Sequence, residues 1–231
     1  MKKSIIIDFD NTIGYFSQII YLINIIEKTY NRKMTQNDIN ILLNIYSYSF
    51  RPKIFEILKF IQELKKKNII QNLILYTKNK NEIFVNMVVH FIEESIYHEK
   101  DKKEKLFENI VFSKTKTKHI EPILDLNTIY DDIESYICFV DNKKYNYGSE
   151  YTKTKTFFIE CDTYKYYYSN DEIVQKMNYK IYKKLNKKII NKYFKYIYKK
   201  RGGMENIPLK IHEFNSLYIF NLLNNFCFLS K

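Results

Sequence analysis

Glycine and proline are scarce in this chain, at 4 and 3 of its 231 residues. Its turns must therefore lean on asparagine and aspartate, which tolerate left-handed backbone better than other side chains. Cysteine is sparse too: Cys138, Cys161 and Cys227 are widely spaced, odd in number and form no CxxC pair. That pattern argues against a disulfide framework and a zinc site and fits a reducing compartment. No run of about 18 uninterrupted apolar residues occurs. The nearest, Phe214 to Leu229, is broken by Asn215, Asn221, Asn224 and Asn225, so no membrane span is expected. Met1-Lys2-Lys3-Ser4 leads straight into an apolar strand and leaves no room for a signal peptide. The expected location is intracellular, either cytoplasmic or nuclear.

Acidic residues are absent from Lys176 to Arg201, a segment with eleven Lys and Arg. Residues 1–175 hold 25 basic and 24 acidic residues, so the net charge of +12 belongs mainly to that one segment. Tyr182, Leu185, Ile189, Tyr193 and Ile197 fall three to four apart within it, the spacing of a basic amphipathic helix over 171–201 that Gly202-Gly203 ends. Such a helix either packs its apolar stripe on the domain or meets a phosphate-rich partner such as nucleic acid, a phosphoprotein or an anionic membrane face. Residues 202–231 show no clear period and read as a loose tail or a strap across the core.

Apolar content of 45% is ample for one α/β domain over residues 1–170. Buried strands are expected at Ile5–Ile7, Asn72–Thr77, Asn109–Phe112, Tyr136–Val140 and Thr156–Ile159. Helical spacing marks Tyr15–Asn31, the stretch after the Thr35 to Asp38 capping signal, Ile54 to Lys67, and Glu82–Tyr97. The alternation predicts a doubly wound parallel sheet with helices on both faces. Residues 13–50 form a helical insertion after the first strand, either a small cap over the site or a longer first crossover.

The first strand runs into Asp8-Phe9-Asp10-Asn11-Thr12. A buried strand has no structural use for two carboxylates, so something cationic should meet them. The second strand ends on Thr77, and the fourth ends in Asp141-Asn142. Asp8 and Asp141 on neighbouring strands suit a magnesium ion, which takes one or two carboxylates with waters and substrate phosphate.

IIIDFDNT resembles the DxDxT signature of haloacid dehalogenase superfamily phosphatases, LILYT resembles their second motif, and ICFVDN their acidic fourth motif. The resemblance covers roughly residues 4 to 160. It implies a Rossmann-like fold, magnesium dependence and covalent catalysis: Asp8 as nucleophile, Asp10 as acid and base, Thr77 on the phosphoryl group. Asp8, Asp141 and the Asp10 backbone carbonyl would hold the metal. Thr12 and Asn142 would support the two acidic loops, and a third-motif Lys would be Lys118, with Lys114 and Lys116 as alternatives. Arg51-Pro52, the helix after it and LILYT are similar to the phosphatases that act on the RNA polymerase II C-terminal domain, although Lys53 stands where that group has Gly. The expectation is a phosphomonoester hydrolase with a protein or small-molecule substrate. The alternatives are a nucleotidase or phosphotransferase, or an idle binding module for nucleic acid or a phosphoprotein.

Overall fold

Runs of β-branched and aromatic residues form five strands: β1 (Lys2–Ile7), β2 (Asn72–Thr77), β3 (Asn109–Phe112), β4 (Ser135–Asp141) and β5 (Thr154–Glu160). They pair in parallel as one sheet in the order β3-β2-β1-β4-β5. The computed structural model describes residues 2–97, 105–114, 135–144, 154–177, 188 and 206–228. Six helices are described: α1 (Ser17–Tyr30), α2 (Gln36–Ile45), α3 (Ile54–Lys66), α4 (Glu82–Ile96), α5 (Asn170–Lys176) and α6 (Leu209–Phe228). The architecture is thus an all-parallel α/β sheet of Rossmann-like order.

Alternation along the strands divides the core. Ile5, Ile7, Leu73, Leu75, Cys138 and Val140 share one large cluster with the inward faces of α1 to α4 and of α6. Ile6, Ile74, Tyr76, Ile137 and Phe139 form a smaller cluster on the opposite face. Burial of each such side chain stabilises the fold by about 1.5–3 kcal/mol relative to exposure. Among the described residues no helix joins the second cluster. Most of the basic helix expected over 171–201 lies outside the described residues.

Helix boundaries follow local chemistry. Thr35 and Asp38 form the capping box foreseen for α2, and Asn81 caps α4 by accepting from the Phe84 amide. Left-handed backbone occurs at Asn11, Asn31, Lys53 and Asn68, so asparagine does take the turns that glycine would otherwise serve.

The insertion is built into the domain. Leu22, Ile25, Ile26, Ile39 and Leu42 of α1 and α2 belong to the large core. Gln18 and the Tyr168 backbone exchange hydrogen bonds at 2.8 and 2.9 Å, and the Tyr46 hydroxyl donates to the Ile173 carbonyl at 2.9 Å. The pair is therefore a crossover extension sewn to the segment after β5.

Of the two forms expected for the C-terminal stretch, a loose tail or a strap across the core, residues 209–228 take the second. Residues 209–228, which lack a clear period, are a 20-residue helix lying against β4 and β5. Phe220 meets Phe60 of α3 and Phe226 meets Phe157 of β5, at centroid distances of 4.7 and 5.3 Å. Lys3 of β1 donates its ammonium to the Phe226 and Cys227 carbonyls at 3.1 and 2.6 Å, closing the C-terminal end of α6. No described helix is long and apolar enough to cross a membrane.

Candidate active site

In this strand order the chain runs outward from β1 to β3, then returns to place β4 on the other side of β1. That reversal is the topological switch point, where open α/β sheets bind ligands beyond the carboxyl ends of their strands. Asp8 and Asp141 stand at that point. Each directly follows a member of the register pair Ile7 and Val140, on strands about 4.8 Å apart. The Asp8 amide donates to the Val140 carbonyl at 2.9 Å, and Cys161 does the same for the Asp141 carbonyl at 3.0 Å. Strand alternation continued by one step directs both carboxylates to the face of Ile6 and Phe139. Both residues are buried.

Thr12 links the two strand ends. Its hydroxyl donates to Asp8 Oδ2 at 2.8 Å and accepts from the Asn142 amide at 3.2 Å. Asn142 also donates through Nδ2 to Thr163 Oγ1 at 3.1 Å, while the Lys143 amide donates to Asp141 Oδ1 at 2.8 Å. Both supporting residues expected from the motif thus lie at the acid pair.

The turn that carries Thr12 is tightly wound. Asn11 takes φ 64°, its amide donates to the Gly14 carbonyl at 2.7 Å, and the Ile13 amide donates to the Phe9 carbonyl at 3.1 Å. Gly14 has no room for a side chain: a Cβ there would strike the Ser49 carbonyl and the Phe16 ring. Close approach, not left-handed backbone, requires glycine here.

Asp10 lies beside the end of β2. Thr77 is fully buried, and its hydroxyl accepts from the Asn79 amide at 3.0 Å. Asn79 then extends the edge, donating through Nδ2 to Asp10 Oδ1 at 3.1 Å. Asn79 escaped the sequence reading because nothing in its neighbourhood separates it from a turn residue. Among the lysines after β3, Lys114 is exposed at the C-terminal end of that strand, two strands from β1. Lys116 and Lys118 lie outside the described residues.

Arg51 of the Arg51-Pro52 stretch, for which the sequence suggested no role at the site, has a fully buried side chain. Its Nε donates to the Thr12 carbonyl at 2.7 Å and one terminal nitrogen to the Asn11 carbonyl at 3.1 Å. Asp162, just after β5, receives the rest of the guanidinium: Oδ1 at 2.5 Å and the backbone carbonyl at 2.6 Å. The other carboxylate oxygen meets Nδ1 of His212, on α6, at 2.8 Å. Burial pushes the Asp162 carboxyl up, but the His212 hydrogen bond and the Arg51 charge outweigh it and hold the group well below the usual carboxylate range. Pairing is what makes a buried guanidinium tolerable at all.

Among the described residues no group of three or more His, Cys, Asp or Glu side chains is arranged around a metal. Among the described residues the ends of β1 and β4 present the Asp8 and Asp141 carboxylates. That set fits a hard divalent cation such as magnesium, which completes its shell with water and substrate oxygens.

No family model, curated protein or solved structure matches this chain.

Proposed function

We propose that the chain is a magnesium-dependent phosphohydrolase that cleaves phosphomonoesters through a phosphorylated Asp8, as its resemblance to haloacid dehalogenase phosphatases implies. The observation that carries this reading is the Asp8, Thr12 and Asn142 linkage at the switch point, which brings two acid-bearing strand ends into one arrangement. Two buried like charges on adjacent strands disfavour one another, and a cation between them removes that cost. The Asp8 and Asp141 carboxylates and the Asp10 carbonyl are its donors. Bound there, magnesium neutralises the charge of the substrate phosphate.

The side chains divide the remaining work. The Asp8 carboxylate attacks phosphorus, and the ester oxygen leaves with a proton from Asp10. Asp10, now ionised, takes a proton from water, which attacks the acyl phosphate and returns Asp8 free with release of inorganic phosphate. Asn79 holds the Asp10 carboxyl in place throughout. Thr77 and Lys118 are the proposed donors to the phosphoryl oxygens, and the substrate is a phosphorylated protein or small molecule.

Hydrolysis of a generic aryl phosphate with and without magnesium tests the proposal. Turnover should require the metal and vanish in Asp8→Asn. Retained turnover in that variant sinks the covalent mechanism, and salt-sensitive binding of nucleic acid without hydrolysis by the unmodified protein favours a binding module instead.

A further inference from the structure

We infer that Asp162 and His212 are positioning residues for the proposed reaction: they fix Arg51, which holds the Asn11–Thr12 turn and so aims the Asp8 carboxylate. This rests on the phosphohydrolase reading, in which Asp8 is the attacking group.

The chain of contacts is continuous and every link is short. Arg51 uses four of its five N–H donors, two on the turn carbonyls of Asn11 and Thr12 and two on Asp162. Thr12 is gripped from both sides, its carbonyl by Arg51 and its hydroxyl by Asp8. The Asn11 carbonyl is held twice, by Arg51 and by the Tyr164 amide at 2.8 Å. Tyr164 lies under the guanidinium at 5.5 Å and edge-on to the His212 ring at 4.7 Å. Both Asp162 carboxylate oxygens are engaged, one by Arg51 and one by His212. His212 is itself fully buried, and its carbonyl accepts from Ser216 one turn on in α6.

A planar guanidinium with this many fixed partners has one orientation available. Loosening Asp162 or His212 frees Arg51 to turn, and the carbonyls it held can then shift with the Thr12 hydroxyl. A misplacement of the nucleophile by a fraction of an ångström affects the chemical step far more than substrate binding.

The test uses the full chain and three variants: Asp162→Asn, which keeps the shape; His212→Phe, which keeps the ring against Tyr164 but removes the donor; and His212→Asn, whose side-chain N–H replaces that of Nδ1. With an aryl phosphate and magnesium, kcat should fall by about ten- to a hundredfold in the first two variants while KM changes little. His212→Asn should recover most of the loss. Amide hydrogen exchange supplies a readout independent of turnover. Exchange at Asn11, Ile13, Gly14 and Tyr164 should quicken about tenfold or more in His212→Phe, with α4 amides unchanged. Turnover in the unmodified protein with unaltered kcat and unaltered turn exchange in the variants overturns the inference and leaves the phosphohydrolase reading standing. Absence of turnover in the unmodified protein, with the exchange response intact, removes that reading and retains the brace on the turn.

Discussion

The Thr12 hydroxyl donates to Asp8 Oδ2 at 2.8 Å while its own oxygen accepts from the Asn142 amide at 3.2 Å. One small side chain thereby ties the ends of β1 and β4 together. Thr12→Val keeps the volume and removes both bonds, leaving the Asn142 amide without its acceptor. Stability should drop by about 1–3 kcal/mol, and kcat on an aryl phosphate by about tenfold, as read from denaturant unfolding and steady-state kinetics.

Asp10 and Asp8 carry different burdens at the proposed metal. Asp10→Asn preserves the backbone carbonyl and the contact with Asn79, so magnesium binding measured by calorimetry should persist. Turnover should fall by about a hundred- to ten-thousandfold, since proton transfer is lost. Loss of the metal in this variant would overturn the division of roles.

Lys53 opens α3 with φ 61°, a conformation that costs an ordinary side chain about 1–2 kcal/mol. Lys53→Gly should relieve that strain and, after the extra chain entropy of glycine, raise stability by about 0.5–1 kcal/mol. A lowered denaturation midpoint would contradict the assigned strain.

The Arg32 guanidinium beside Asp38, bonded at 2.6 and 2.9 Å, holds that carboxyl down at about 2, against burial and with help from Thr35. The folded value lies below the unfolded one, so this contribution is complete above about pH 4 and disappears as pH falls towards 2. Thermal midpoints of the unmodified protein and of Asp38→Asn should differ by a few degrees at neutral pH and converge across that window.

Elements whose pattern is local could be read directly. The strand over Asn72–Thr77 and the Thr35 and Asp38 capping box need only their own neighbours, and both appear where expected. Helix α6 did not declare itself, because Asn215, Asn221, Asn224 and Asn225 interrupt its period. It also buries His212 and Ser216 while exposing Ile211, Phe214 and Tyr218. At the site, Asp8, Asp10, Thr12, Asp141 and Asn142 sit at strand ends and could be found from the motif. Arg51 stands in the Arg51-Pro52 stretch, but its partnership with Asp162 and His212 could not be read, since the three are 111 and 50 residues apart in sequence and meet only through tertiary packing.

Burial pushes the thiols of Cys161 and Cys227 up to about 11 and that of Cys138 higher still. Almost no thiolate is present at pH 8, and all three sulfurs are enclosed. An aromatic disulfide reagent should therefore release negligible thiolate from native protein and three equivalents per chain in denaturant. Rapid reaction of any native cysteine would show that its surroundings open.

Lys3, at the start of the strand that delivers Asp8, is bonded to carbonyls more than 220 residues later. On a ribosome that emits β1 before α6, the Lys3 ammonium must wait more than 220 residues for the carbonyls that receive it. Asp162 waits 50 residues for its histidine on α6. A nascent chain released before α6 is made would carry Asp8 and Asp10 without His212, the far end of the contacts that run through Asp162 and Arg51 to the Asn11–Thr12 turn.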